Sequence, residues 1–209
     1  MIAKRSAFIG AVTALLVASA SAVSATRHDA RGVRRVRQLS FEFVGQFQNS
    51  PAGVTPATHA HYGYLAYVSG IPAFRGSPQD ETTALFTFYA DAATLRVVAD
   101  GPLRIITRTG RVTIYRDASV DGKFGRPESF RDGAVVLVGQ FRQQVVNNTI
   151  TGSFTTFHRV RITSTRPFQA GRSKVQLGRV GQTFRIAFSG QGNMPGPPSG
   201  FFGGYGVGG

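Results

Sequence analysis

Two closely spaced histidines come nearest to a metal-binding pattern in this chain. His59 and His61 are separated by one residue, and residues two apart on a strand point to the same side, so their imidazoles could share a metal ion. Such a site needs a third ligand, and no carboxylate follows at a suitable short spacing. We therefore interpret the pair as two solvated histidines at the point where a loop enters a strand, and we predict no metal and no cofactor.

His158 has a more informative position. It has the same parity as Phe154, Val160 and Ile162, so on a strand its side chain is predicted to point into an apolar interior. An inward histidine can act as an acid, a base or a hydrogen-bond anchor in a ligand cavity. A packed core histidine would show the same pattern.

Aromatic side chains accompany His158. Phe154, Tyr64 and Tyr67 are the aromatic residues that we group with it as a candidate site for a small apolar ligand. Any barrel core contains similar residues, so ordinary packing is the alternative interpretation.

The carboxylates form no recognisable catalytic pair. Asp117, Asp121, Glu128 and Asp132 lie in one segment, 117–133, and their spacing does not match a calcium loop with acids at positions 1, 3, 5 and 12. We interpret this segment as a turn-rich loop. The chain also lacks cysteine, a Gly-x-Ser-x-Gly elbow and a phosphate-binding glycine loop. We predict no catalytic residue, and a non-catalytic protein is favoured over an enzyme.

Residues 39–193 are predicted to form the domain that positions these side chains. Leu39, Phe41 and Phe43 alternate with polar residues, which is typical of a half-buried strand. Further strands are predicted over approximately 61–71, 82–91, 94–99, 103–107, 111–116, 134–146, 149–164 and 183–189. Arg108, Thr109 and Gly110 are predicted to form a tight hairpin turn.

The two longest predicted strands indicate the architecture. Segments 134–146 and 149–164 exceed the usual strand length of about 5–6 residues. Long strands joined by hairpins favour an all-β fold with a single antiparallel barrel of about eight or nine strands. A β-sandwich is the alternative.

The first 25 residues have the pattern of a cleavable signal peptide, which forms a helix. Lys4 and Arg5 precede an apolar run over 8–17, and small residues end at Ala25. The mature protein is then expected to begin near Thr26, to be secreted or associated with the cell envelope, and to have no transmembrane segment. N-terminal sequencing of the exported protein identifies this residue.

Charge is the strongest compositional feature. The chain has 24 basic and 10 acidic residues, a formal net charge of +14. Residues 26–38 are predicted to form a flexible basic arm that binds an anionic cell-envelope polymer rather than a specific nucleic acid; a solvated leader is the alternative. The candidate contacts are Arg27, Arg31, Arg34, Arg35 and Arg37. Residues 194–209 are predicted to be a Gly/Pro-rich C-terminal tail. Because the segment contains Phe201, Phe202 and Tyr205, the alternative is that it packs against the barrel as an ordered edge segment.

One segment carries a family resemblance. FRDGAVVLVGQFRQQVVNNTITGSFTTFHRV (130–160) is predicted to form one long hairpin. Together with the signal peptide and the strand meander, it resembles secreted bacterial β-barrel proteins without an assigned activity. More distantly it resembles allene oxide cyclase, dirigent and lipocalin-like barrels.

This resemblance implies a secreted barrel that binds a small apolar ligand or an anionic envelope component. A cofactor-free isomerase or cyclase of the allene oxide cyclase type is the alternative. No catalytic motif of the cyclases is matched, so no residue is transferred. Arg159 and Arg161, on the face opposite His158, oppose an outer-membrane barrel, because lipid-facing arginine costs about 2–4 kcal/mol.

Overall fold

The computed structural model describes residues 32–192, 194 and 197–209, and most of them lie in strands. The predicted signal peptide, Arg27 and Arg31 lie outside the described residues. The strands are β1 (Val33–Val36), β2 (Leu39–Asn49), β3 (Thr58–Val68), β4 (Phe86–Asp100), β5 (Leu103–Arg116), β6 (Ala134–Asn148), β7 (Ser153–Thr165), β8 (Phe168–Ala170), β9 (Ser173–Leu177), β10 (Thr183–Gln191) and β11 (Gly200–Gly208). A short 3-10 helix spans Pro127–Phe130. Within the described part of the chain, no helix is long and apolar enough to cross a membrane.

Eight strands close into an antiparallel barrel. Their order is β10-β11-β2-β3-β4-β5-β6-β7, and β7 pairs with β10 to complete the circle. The prediction of an all-β fold with a single barrel is confirmed, and the sandwich alternative is wrong. Closure gives every barrel strand a partner on both sides, which removes the exposed edges that promote aggregation.

Phenylalanine rings fill the middle of the barrel. Phe43 lies at the centre of this packing, with its ring centroid 5.2 Å from that of Phe88 and 5.3 Å from that of Phe188, both edge to face. Phe41 packs in the same way against Phe184 at 5.7 Å. Such edge-to-face pairs stabilise a core beyond the area that they bury.

A second, three-stranded sheet in the order β1-β9-β8 plugs one end of the barrel. Val36 and Val175 from this sheet are buried in the same core as the barrel residues. Phe168 packs edge to face on Phe86, with 5.4 Å between ring centroids. The barrel is therefore sealed at the end where β2 begins.

This plug corrects the prediction of a flexible arm over 26–38. Residues 33–36 form β1, which pairs in parallel with β9. Val33 and Val36 are buried and anchor the strand, and the intervening arginines take partly exposed positions. These two buried valines anchor residues 33–36, for which the basic composition predicted a solvent-exposed arm.

The C-terminal segment is ordered, as in the alternative to a flexible tail. It is not an edge, however, because β11 closes the barrel between β10 and β2. Five of its nine residues are glycine. At Gly204 a Cβ atom would lie 2.0 Å from the carbonyl oxygen of Ala187, so only glycine permits this close approach. Phe202 points inward and is buried. The barrel domain therefore extends to the end of β11.

The predicted turn at Arg108, Thr109 and Gly110 is wrong. β5 runs without interruption from Leu103 to Arg116, and the segments predicted separately on either side of residues 92–93 form the single strand β4. The actual turn lies at residues 101–102, between these two strands. As a result Arg108 stands within the barrel wall, directly opposite Thr94 on one side and Gln143 on the other.

Candidate ligand-binding site

The end of the barrel opposite the plug contains a cavity of about 250 Å³. Seven of the eight barrel strands contribute side chains to its wall. The longest part of this wall comes from β5, β6 and β7, whose residues lie opposite one another in three rungs. From the rim inward these rungs are Arg104, Asn147 and Phe154; Ile106, Val145 and Thr156; and Arg108 with Gln143. His158 lies opposite Gln143 but does not line the cavity.

Arg108 is the central feature of the cavity. Its side chain is 8% exposed, its Nε atom has no hydrogen-bond partner, and among the described residues it makes no ion pair. Burial lowers the pKa of its guanidinium from 12.5 to about 10, so the group still carries its charge at neutral pH. A buried charge without a partner is costly, and here that charge faces a cavity.

Gln143, beside Arg108 on the neighbouring strand, adds an acceptor to the same rung. It is 1% exposed, and its Nε2 atom donates a hydrogen bond of 3.0 Å to Thr156 Oγ1. Its Oε1 atom is buried and has no partner. The inner end of the cavity therefore presents a cationic donor next to an unsatisfied acceptor.

His59 and His61 do lie on the same side of β3, and both line the cavity. The prediction that they are solvated is wrong, because both are buried. His59 Nδ1 donates to Asn49 Oδ1 at 2.6 Å, and its Nε2 accepts from Thr94 Oγ1 at 3.0 Å. Both ring nitrogens of His59 are thus engaged by protein groups, which leaves none to pair with His61 on a metal. Burial and then the charge of Arg108 lower the pKa of His59 to about 3 and that of His61 well below its usual range.

His158 is buried, as its parity predicts, but it does not line the main cavity. Its ring packs between Phe141 and Phe188, with centroid distances of 5.1 Å and 5.2 Å. The gap beside it is only about 10 Å³, about the smallest space that holds a water molecule. Burial and the charge of Arg108 lower its pKa to about 3. His158 is therefore part of the packed floor beneath the cavity.

The predicted aromatic residues do not assemble into one site. Phe154 lines the cavity, and its ring packs edge to face on Phe47 at 5.4 Å. Tyr64 instead packs against Phe74 at 6.0 Å, on the face of β3 opposite His59 and His61. Tyr67 is 45% exposed, because a bulge in the pairing of β2 with β3 changes the alternation beyond Leu65.

Arg108 and Gln143 were missed by the sequence analysis. Arg108 has the same parity as Val112 and Ile114, both buried, and this alternation continues through Arg108 to the strand start. The sequence therefore contains the alternation that places Arg108 on the inner face, but the turn predicted at residues 108–110 interrupted it.

The charge and reactivity of the cavity follow from these residues. Among the described residues no carboxylate lines the wall, whereas Arg104 and Arg108 do. The histidines are neutral at physiological pH, and a pKa near 3 makes His59 and His158 weak general bases. The cavity therefore combines positive charge with aromatic walls and is suited to holding an anion.

Comparison with protein-family models, with curated proteins and with solved structures gave no match. The resemblance to allene oxide cyclase, dirigent and lipocalin-like barrels therefore stays a prediction.

Proposed function

We propose that this protein is a non-catalytic binding barrel whose cavity holds a small aromatic carboxylate. The observation that carries the proposal is the buried Arg108 guanidinium, which faces the cavity without an acidic partner. Guanidinium and carboxylate groups form two parallel hydrogen bonds, and such charge-assisted pairs are the strongest in proteins. A bound carboxylate would neutralise Arg108 where the chain itself does not.

The size and walls of the cavity favour an aromatic ligand. An engineered cavity of about 150 Å³ takes up benzene, so a volume of about 250 Å³ accommodates one ring with a carboxylate and a further small group. Phe47, Phe154 and Phe202 offer ring faces and edges to such a ligand. A hydroxyl substituent would satisfy the free Oε1 of Gln143.

The same chemistry favours binding over catalysis. An isomerase or cyclase without a cofactor needs a group that gains or loses a proton near neutral pH. The pKa values of His59 and His158 are lowered to about 3. Conversion of a bound ligand into a new product would instead favour the cyclase alternative.

We further propose that the protein acts outside the cytoplasm. Support comes from the charged start, apolar run and small residues within positions 1–25. An exported carrier would meet its ligand in the medium or the cell envelope.

A titration with matched probes tests the proposed ligand class. We expect 4-hydroxybenzoate to bind at neutral pH at least tenfold more tightly than 4-hydroxybenzamide, because a charge-assisted hydrogen bond contributes about 1.5–3 kcal/mol. Isothermal titration calorimetry measures both affinities. Benzoate is the control for the hydroxyl group and should bind more weakly than 4-hydroxybenzoate. Equal affinity for the acid and the amide would contradict a role for Arg108 in binding.

A row of arginines on the outer wall favours a second function, binding of an anionic polymer. Arg142 lies directly opposite Arg159, which in turn lies directly opposite Arg185. All three are exposed, and like charges in directly opposite positions destabilise a sheet. Phe157 and Tyr205 are exposed beside them, at 52% and 57%. Folding does not explain such a row, whereas contact with a polyanion does.

This row, rather than the N-terminal arginines, is the surface that we propose for the polymer. In β1, Arg34 donates a hydrogen bond of 3.2 Å from Nη2 to the carbonyl oxygen of Gly70, and Arg35 is only partly exposed. Arg37 is exposed and stands next to the plug. Arg34 and Arg35 lie in a paired strand, and the carbonyl oxygen of Arg37 accepts a hydrogen bond from Gln182, so this part of the chain is not a mobile arm.

Elution from immobilised polyphosphate tests the arginine row. We expect the triple variant Arg142→Gln, Arg159→Gln, Arg185→Gln to elute at clearly lower salt than the wild type, because each lost contact reduces counterion release. The control variant replaces Arg96, Arg172 and Arg179, three exposed arginines outside the row. Its net charge is identical to that of the test variant. Equal elution of the two variants would show that only total charge matters.

A further inference from the structure

The loop between β5 and β6 concentrates negative charge in a strongly basic protein. Four of the ten acidic residues of the chain, Asp117, Asp121, Glu128 and Asp132, lie within it. It begins where β5 ends, on the plug side of the barrel and therefore away from the proposed carboxylate cavity. Nothing in the proposed function uses these residues.

Three of these carboxylates converge on one point. Oxygen atoms of Asp117, Asp121 and Asp132 all lie within 4.8 Å of one another. Calcium binds oxygen at about 2.3–2.6 Å, so ligands on opposite sides of the ion lie roughly 5 Å apart. The spacing is that of ligands around a single cation.

An independent observation points to a missing ligand: Asp117 is fully buried and only half satisfied. Its Oδ1 atom accepts hydrogen bonds from the backbone N–H and the hydroxyl of Ser119, at 2.9 Å and 2.6 Å. Its Oδ2 atom is buried without a partner. Among the described residues Asp117 also makes no ion pair. The charge of Asp117 acts on the neighbouring Arg116, but Oδ2 itself has no hydrogen-bond partner. A buried carboxylate oxygen without a partner is costly, and a bound cation would offset that cost.

The loop sequence is closer to a calcium loop than the positions of its acids alone suggested. Asp117, Ser119, Asp121 and Gly122 occupy positions 1, 3, 5 and 6 of the pattern D-x-[DN]-x-[DN]-G. The prediction of a plain turn-rich loop rested on the lack of an acid at position 3, but the serine hydroxyl there is also an oxygen ligand. Glu128, at position 12, pairs instead with Arg131, and Asp132 takes its place in the cluster.

We propose that Asp117, Asp121 and Asp132 form a calcium site that fastens this loop to the barrel. Phe130 from the loop packs on Tyr62 with 5.8 Å between ring centroids, and Phe124 packs on Tyr64 at 6.2 Å. The ion would fix the base of a loop that covers these outer tyrosines. Arg126, which is exposed and pairs with Asp121 at 2.9 Å, would yield part of that contact to the ion.

Calcium titration of the full chain, after dialysis against a chelator, tests the site. We expect one Ca²⁺ per chain with a dissociation constant of about 10⁻⁴ to 10⁻³ M, the range of extracellular modules, and weaker binding of Mg²⁺. Asp121→Asn and Asp132→Asn should each lower the affinity at least tenfold. Both side chains are exposed, so these changes leave folding intact, whereas changing the buried Asp117 would not. The matched control is Glu128→Gln, which removes a loop charge outside the cluster and should bind as the wild type does.

Thermal unfolding with and without calcium provides a second readout. Calcium at 5 mM should raise the unfolding temperature of the wild type and of Glu128→Gln, because a ligand that binds only the folded state stabilises it. It should have little effect on Asp132→Asn. The proposal is overturned if the wild type shows neither binding heat nor a temperature shift. It is equally overturned if all variants respond alike, since that result means diffuse attraction to surface acids.

Discussion

Unfolding at acidic pH will show a steep loss of stability between about pH 6.5 and pH 4. His59, His61 and His158 are buried in the neutral form, and the pKa values of His59 and His158 are lowered from 6.5 to about 3. Above pH 6.5 neither the folded nor the unfolded chain binds these protons. Below it the unfolded chain gains them while the folded chain does not, so the free energy of unfolding falls.

The magnitude of this effect approaches the stability of a typical domain. Each histidine contributes about 1.4 kcal/mol per pH unit, so His59 and His158 together remove roughly 4 kcal/mol by pH 5, and His61 adds to this loss. Natural domains are stable by about 5–15 kcal/mol. Urea unfolding at a series of pH values measures the slope. His158→Phe should reduce this slope by the contribution of one proton, about 1.4 kcal/mol per pH unit. An unchanged slope in this variant would show that His158 is protonated in the folded protein.

Replacement of Arg108 by methionine will stabilise the empty protein and abolish carboxylate binding. A pKa lowered from 12.5 to about 10 corresponds to roughly 3 kcal/mol of unfavourable burial. Methionine keeps an unbranched, flexible side chain that ends near the position of Nε and carries no charge. The unfolding temperature should therefore rise by about 6–12 °C, given about 2–4 °C per kcal/mol for a protein of this size.

Arg104→Met is the matched control for this substitution. Arg104 lies on the same strand and lines the same cavity, but it is exposed at the rim. Its replacement should change the free energy of unfolding by less than about 0.5 kcal/mol and weaken binding only modestly. Thermal unfolding and titration with 4-hydroxybenzoate on both variants separate the two roles. Lower stability of Arg108→Met would mean that Arg108 stabilises the fold, which contradicts the proposal that its charge has no partner until a ligand binds.

The fold was predictable because alternation survives over long strands. The segments predicted over 134–146 and 149–164 correspond to β6 (Ala134–Asn148) and β7 (Ser153–Thr165), and their length correctly favoured a barrel. The inward direction of His158 followed from the same alternation. A period of two fixes which side chains share a face, whatever surrounds them.

The cavity was not predictable because Arg108, its central residue, lies two positions before a glycine that is typical of a turn. Gly110 suggested a turn, yet in the structure it allows a close approach, since a Cβ atom there would lie 2.1 Å from the carbonyl oxygen of Asp91 and 2.7 Å from the Phe141 ring. This close approach joins residues on different strands, so the residues next to Gly110 in the sequence do not indicate it. Neither β1 nor β11 was predicted as a strand for the same reason, because both pair with strands far away in sequence.

The position of β11 also determines when the cavity can exist during folding. This strand pairs with β2 through residues more than 150 positions apart in the chain, and such distant pairings form late because the intervening chain must first be ordered. Until then β2 and β10 are open edges, and Phe202 is missing from the cavity wall. We therefore expect the binding site to be complete only once β11 has paired with β2, and a ligand that fills it would favour this closing step.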